Sequence, residues 1–173
     1  MEKGERYQLI FNVAIITASD KGSKGEREDI SGQVIKDMME AQGYEIHSLS
    51  ILPDDRTLLA KAMNQLCTEN VDLILTTGGT GFSQRDWTPE ATLDVVERLV
   101  PGIPEAMRYY SMQVTKRAML SRAVAGIKDH TLIVNLPGSP KAVKENLEAI
   151  LSELPHGLAI LKGSASECGS SQK

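Results

Sequence analysis

Cysteine is scarce: the 173 residues include two, Cys67 in an apolar helical pattern and Cys168 in a polar stretch. That excludes a disulfide framework and leaves Cys67 as a core thiol and Cys168 as incidental. Histidine is nearly as rare. His47, His130 and His156 stand far apart, with no Cys-x-x-Cys or His-x-x-x-His spacing, so nothing supports a zinc site. No apolar run approaches the roughly 18 residues of a membrane span, and Met1 to Gln8 is charged, with no apolar segment and small-residue cleavage site behind it. The chain is therefore expected in the cytoplasm, with no membrane partner. Basic charge is short as well: 19 Lys and Arg against 23 Asp and Glu give −4 and a sequence pI near 5.4, without a basic block. No nucleic-acid partner is expected.

What remains is an ordinary globular composition, 41% hydrophobic and 24% charged, at a length that closes a core without disulfides or metal. No linker divides the chain. Residues 1–162 read as one domain, and residues 163–173, polar and glycine-rich, read as a flexible tail. Phe11 to Ala18 is a β-branched apolar run of the kind covered on both faces. A charged loop from Ser19 to Glu28 leads from it into a helix with Ile30, Val34, Ile35 and Met38 on one face, Asp29 or Ser31 as cap and Gly43 as terminator. The unit repeats: a strand over Tyr44 to Leu52, a turn with a cap at Pro53-Asp54-Asp55, and a helix striped by Leu58, Leu59, Ala62, Met63, Leu66 and Cys67. Val71 to Thr77 is a third buried strand, followed by Gly78-Gly79-Thr80-Gly81 and a helix expected to start with Thr88 as cap and Pro89 at the first helical position. A helix bounded by Pro101 and Pro104 runs through Tyr109, Met112 and Val114. A hairpin over Ala123 to Ile127 and Thr131 to Leu136, a helix capped by Ser139 before Pro140, and a short helix after Pro155 complete the pattern. The expectation is an α/β fold, a three-layer α/β/α sandwich whose mainly parallel sheet ends in an antiparallel edge hairpin.

In open sheets of this kind ligands bind outside the carboxyl ends of the strands. Four loops reach that edge, carrying Ser19-Asp20 with Asp29 and Ser31-Gly32, then Asp54-Asp55, then Gly78 to Thr88, then Pro137 to Pro140. Helix entries at Thr88-Pro89 and Ser139-Pro140 leave amide groups and a positive dipole end that favour anions. The segment Thr76 to Gly81 lets backbone amides approach a phosphate closely. Neither G-x-x-x-x-G-K-[ST] nor G-x-G-x-x-G occurs, so a tight turn after a strand explains the glycines equally well. Asp54 and Asp86 reach the same rim, either as helix caps or as a functional pair. Two carboxylates beside a phosphate site repel the ligand unless a cation intervenes, and Mg²⁺ is held by one or two carboxylates plus substrate phosphates. A Mg-nucleotide site reconciles them.

Thr76-Thr77-Gly78-Gly79-Thr80-Gly81, Arg85-Asp86, Thr88-Pro89-Glu90-Ala91-Thr92 and Asn135-Leu136-Pro137-Gly138-Ser139-Pro140 resemble the molybdenum-cofactor biosynthesis domain of the molybdopterin adenylyltransferases, the MogA/MoaB and gephyrin G-domain family. Ser19-Asp20, Gly25, Asp29, Ser31-Gly32, Pro53-Asp54, Leu120-Ser121-Arg122 and Ala125-Gly126 extend the likeness from Phe11 to Lys162, and Trp87 departs from it. The resemblance implies a fold assembled as a homotrimer that joins molybdopterin to AMP from Mg-ATP and releases pyrophosphate. Carried over by position, Thr77, Gly78, Gly79, Thr80 and Gly81 hold the nucleotide, while Asp54 and Asp86 are catalytic and hold Mg²⁺. Ser19, Asp20, Asp29, Ser31, Gly32, Ser121, Arg122, Pro137, Gly138, Ser139 and Pro140 hold the pterin and its phosphate. It also implies handover of the product to a molybdenum insertase. A molybdopterin carrier without transferase activity is the alternative, and metal insertion, which relatives perform within larger chains, ranks lower.

Overall fold

The computed structural model describes residues 9–163, so Cys168 and, apart from Gly163, the expected tail lie outside the described residues. In chain order the elements are β1 (Asn12–Ala18), α1 (Asp20–Ser23), α2 (Ile30–Ala41), β2 (Glu45–Leu52), α3 (Arg56–Thr68), β3 (Leu73–Thr77), α4 (Thr88–Leu93) and β4 (Arg98–Leu99). They continue with α5 (Gly102–Met112), a 3₁₀ turn (Lys116–Leu120), β5 (Ala125–Lys128), β6 (Thr131–Leu136), α6 (Pro140–Ile150) and α7 (Leu154–Leu161). The strands form one sheet in the order β2-β1-β3-β6-β5-β4. From β2 to β6 the pairs are parallel, whereas β5 runs antiparallel to both β6 and β4. The hairpin expected around Lys128-Asp129 is therefore present.

Both sheet faces are covered, which is why β1, β3 and β6 read as mostly apolar runs without the alternation of a half-exposed strand. Val13, Ile15, Leu73, Leu75, Leu132 and Val134 pack under Ile35 and Met39 of α2, Met107 of α5, Val143, Leu147 and Ile150 of α6, and Leu158 of α7. On the opposite face Ala14, Ile16, Ile74 and Ile133 meet Leu59, Met63 and Cys67 of α3 and Ala91 of α4. Cys67 is a buried core thiol, as its helical position implies, and burial pushes its pKa up.

Asp29 caps α2, with its carboxylate accepting from Gly32 N; Asp55 caps α3 by accepting from Leu58 N; and Ser139 caps α6 by accepting from Ala142 N. Several expectations from the sequence are corrected by the fold. Ile30 is exposed and belongs to the rim of a cleft, while Met39 takes its expected place in the core. The loop after β1 contains the one-turn α1, closed by Ser19 Oγ accepting from Gly22 N at 3.0 Å. Thr88 does not cap α4. The capping position is Trp87, which supplies no side-chain acceptor. Thr88 N already donates to Gly79 O at 3.1 Å, and the Thr88 side chain turns inward, fully buried. The helix expected to run through Tyr109, Met112 and Val114 ends at Met112; α5 packs through Pro104, Met107 and Ser111, and Tyr109, Met112 and Val114 are exposed.

Candidate active site

Four parallel strands deliver their carboxyl ends to one edge, and the loops leaving β1, β2, β3 and β6 enclose a cleft of about 360 Å³. Its floor is the turn after β3. Gly78 sits at φ +89°, and a Cβ there would lie 2.4 Å from Ala18 O. Gly79 sits at φ +62°, with a Cβ position 2.5 Å from Thr88 Oγ1 and 3.2 Å from Asp54 Oδ1. Glycine is required at both positions by backbone angle and by space, so the turn presents main chain rather than side chains to the cleft.

Asp55 serves as the α3 cap, which frees Asp54 for another role. Asp54 and Asp20 exchange bonds: Asp20 N donates to Asp54 Oδ2 at 2.9 Å, and Asp54 N donates to Asp20 Oδ1 at 3.0 Å. Arg85 then grips Asp20 with both arms of its guanidinium, Nε at 2.9 Å and Nη2 at 2.7 Å. The Arg85 hydrogen bonds hold the Asp20 carboxyl below the usual carboxylate range. Asp54 behaves oppositely. Burial raises its pKa, and the neighbouring carboxylates of Asp20 and Asp86 push the same way against the Asp20 amide. Asp86 is held by Ser83 N donating to its Oδ2 at 3.0 Å, so it is a turn residue and not a cap.

Further bonds tie the remaining walls together. Thr77 Oγ1 donates to Pro137 O at 2.7 Å, and Ser31 Oγ donates to Gly138 O at 2.9 Å. Asp29 accepts from Thr17 Oγ1 at 2.7 Å and from Gly32 N at 2.9 Å. Below them Asn135, fully buried, donates to Thr76 Oγ1 and Thr92 Oγ1 and accepts from Val124 N.

The structure brings Ser19, Asp29, Ser31, Asp54, Thr77, Gly78, Gly79, Asp86, Gly138 and Pro140 onto the cleft. It places the other expected residues elsewhere. Asp20 stands behind Asp54, the Gly32 amide is taken by Asp29, and Ser139 caps α6. Thr80, Gly81, Ser121 and Pro137 line a separate groove of about 280 Å³, which Arg108 and Arg117 also line. Arg122 is committed to the loop: Nε donates to Gly81 O and Nη2 to Asp86 O, each at 2.7 Å, and Nη1 pairs with Glu90. Its own amide donates to Thr80 O at 2.9 Å. Arg122 thus clamps the two ends of the segment that carries Asp86, and it borders an open depression with Asp86, Phe82 and Trp87. Arg27, Glu28 and Ile51 line the cleft without having been singled out from the sequence.

Comparison with known proteins places this geometry. The sequence profile of a family described as "Probable molybdopterin binding domain" matches residues 14–156. The chain belongs to that family. It is 40% identical to a molybdopterin adenylyltransferase of Helicobacter pylori over 157 residues, 88% of this chain and 89% of the relative. It is 36% identical to the molybdopterin adenylyltransferase of Escherichia coli, over 81% of this chain and 73% of that one. A crystal structure of the molybdopterin biosynthesis enzyme MoaB from Thermus thermophilus superposes with a TM-score of 0.85 at 44% identity, covering 89% of this chain and 98% of that one. The sheet and layers described above are therefore those of the family's solved members, and the residues lining the cleft all fall within the matched segment.

Among the described residues no group of three or more His, Cys, Asp and Glu could hold a metal ion. A Mg²⁺ ion needs fewer protein ligands than that, because substrate phosphates and water complete its shell. The donor set fits such an ion: Asp54 and Asp86 are hard oxygen donors on one cleft, and the pKa of Asp54 is raised by burial and by two neighbouring carboxylates, a position that a cation relieves.

Proposed function

We propose that the protein is a molybdopterin adenylyltransferase in molybdenum cofactor biosynthesis, taking ATP and molybdopterin to adenylyl-molybdopterin and pyrophosphate. The observation that carries this reading is the convergence of Asp54 and Asp86 with the half-buried turn at Gly78 and Gly79 on one cleft, in a chain 36–40% identical to proteins of that activity.

The nucleophile is a phosphate oxygen of molybdopterin. It bonds to the α-phosphorus of ATP while the bond to the bridging oxygen breaks, and pyrophosphate leaves with the electron pair. A phosphate monoester with a second pKa near ~6 is largely dianionic at neutral pH, so no general base is needed. The site agrees with that: among the described residues no His, Cys or Lys lines the cleft. Alignment and charge stabilisation supply the acceleration. The turn at Gly78 and Gly79 offers main chain to the phosphates, Asp54 and Asp86 would hold Mg²⁺, and Asp20 with Arg85 fixes the Asp54 carboxylate. When bound, Mg²⁺ supplies electrostatic neutralisation of the phosphates. Arg122 acts here as the clamp on the catalytic loop, and the pterin contacts fall to Ser31, Gly138 and Ser121, the first two on the cleft and the third in the adjoining groove.

This reading includes a cytoplasmic location, a homotrimer and transfer of the product to an insertase. The exposed apolar side chains of Tyr109, Tyr110, Met112 and Val114 offer a face for self-association. In the gephyrin of Dictyostelium discoideum the segment like this chain makes up 22% of a longer protein, at 40% identity. The test is pyrophosphate release by the purified protein given molybdopterin, ATP and Mg²⁺, with each omitted in turn and with Asp86→Asn. Release that requires all three and falls by about 10² or more in the variant is expected. Molybdopterin binding with no release would replace this reading by the carrier.

A further inference from the structure

An anionic substrate in a cleft walled by Glu28, Asp29, Asp54 and Asp86 needs a positive group on the protein as well as a metal. Two arginines next to the cleft are already engaged. Arg85 is bidentate to Asp20, and Arg122 spends its nitrogens on Gly81 O, Asp86 O and Glu90. Arg27 differs from both. Among the described residues it is the one Lys, Arg or His lining the cleft, and its side chain makes no hydrogen bond or ion pair with any of them. The chain on either side of it is tied down: Glu26 N donates to Lys21 O at 2.9 Å, and Asp29, two positions on, is fixed by Thr17 and Gly32. Arg27 is exposed at the cleft wall, and a guanidinium without a protein partner has its planar fork available for an oxyanion, a fork that matches phosphate oxygens in pairs.

We propose that Arg27 binds a phosphate group of the substrate in this cleft. The proposal rests on the adenylyltransferase reading for the identity of that phosphate, which belongs either to the nucleotide or to the pterin. Arg27→Ala and Arg27→Lys are compared with wild type in calorimetric titrations with ATP, inorganic pyrophosphate and inorganic phosphate, and in the KM values for ATP and molybdopterin. Loss of one charge-assisted pair corresponds to weakening by about tenfold to hundredfold in the alanine variant. The lysine variant regains part of this through charge without the fork, while the melting temperature stays near wild type. A joint loss for ATP and pyrophosphate assigns Arg27 to the nucleotide, a loss for phosphate and molybdopterin assigns it to the pterin, and a loss for both sets assigns it to both. Affinities and KM values all within twofold of wild type, or a lowered melting temperature in the alanine variant, overturn the proposal. Arg27-dependent pyrophosphate binding in a wild-type protein that never releases pyrophosphate would sink the adenylyltransferase reading and leave Arg27 in place. Release with an unaltered Arg27→Ala variant would do the reverse.

Discussion

Replacing Asp54 by asparagine should stabilise the folded protein while nearly abolishing its chemistry. The Asp54 pKa is raised by burial, with Asp20 and Asp86 adding to the shift. The sign follows from linkage: a carboxyl whose folded pKa exceeds its unfolded value favours folding below the unfolded pKa, and this contribution is lost as pH rises through the folded pKa. Above its folded pKa the ionised Asp54 is therefore a net strain on the fold. The Asp54→Asn change removes the charge but keeps an oxygen for the Asp20 amide, which in the wild type bonds Asp54 Oδ2 at 2.9 Å. The group is partly solvated, so the relief is comparable to that of an exposed ion pair, about 0.2–1 kcal/mol. For a domain of this length that raises the melting temperature by about 1–4 °C. Turnover should fall by about 10²–10³, the loss typical of one charge-stabilising group. Calorimetric melts of both proteins from acid to neutral pH, with and without Mg²⁺, read the stability side; pyrophosphate release reads the activity. The stability gap should close below the Asp54 pKa, and Mg²⁺ should raise the wild-type melt more than that of the variant. A variant that melts lower than wild type at neutral pH, or that turns over normally, refutes the reasoning.

Gly79→Ala asks a methyl group to occupy φ +62° with its carbon 2.5 Å from the buried Thr88 hydroxyl; a loss of about 1–3 kcal/mol, seen in denaturant melts, is expected together with a loss of activity. Arg122→Ala unties Gly81, Asp86 and Glu90 at once. About 2–3 kcal/mol should disappear after allowance for partial exposure, and faster hydrogen exchange should be confined to the 79–90 segment and its neighbours. Arg85→Ala should bring the Asp20 carboxyl back toward its ordinary pKa. The wild type keeps this contribution above the unfolded pKa and loses it as pH falls through the depressed folded one, so the stability difference between the two proteins should vanish in acid and appear on the way to neutral pH.

The strands and caps were legible because they are local. β1, β3 and β6 show their burial on both faces as largely apolar, β-branched runs, and Asp29 and Ser139 stand three positions before the amides they accept from. Asp54 and Asp86 could be placed on one rim because parallel strands end at one edge. The bonds that give those residues their character could not be read. Arg85 finds Asp20 across 65 positions, and Arg122 reaches Gly81 across 41; no spacing rule links such pairs. For the same reason Arg122 looked like a free cation beside the site, and Thr88 looked like a cap although its N–H donates to Gly79 O and its hydroxyl is buried. β4, two residues long, carries too little sequence to leave a period.

Asn135 sits under the cleft with every polar atom of its side chain engaged, joining β3 through Thr76, the segment before β5 through Val124, and α4 through Thr92. Sliding β6 by one residue against β3 would send that side chain to the opposite face of the sheet. The roots of the loops after β3 and β6, at Thr77 and Leu136, are consequently levelled against each other from beneath. For protein engineering this divides the molecule into foundation and superstructure: Asn135 is the foundation shared by the strand ends, whereas the loop after β3 springs from a height set below it and can be altered at Phe82 and Gln84 so long as Ser83 keeps its hold on Asp86.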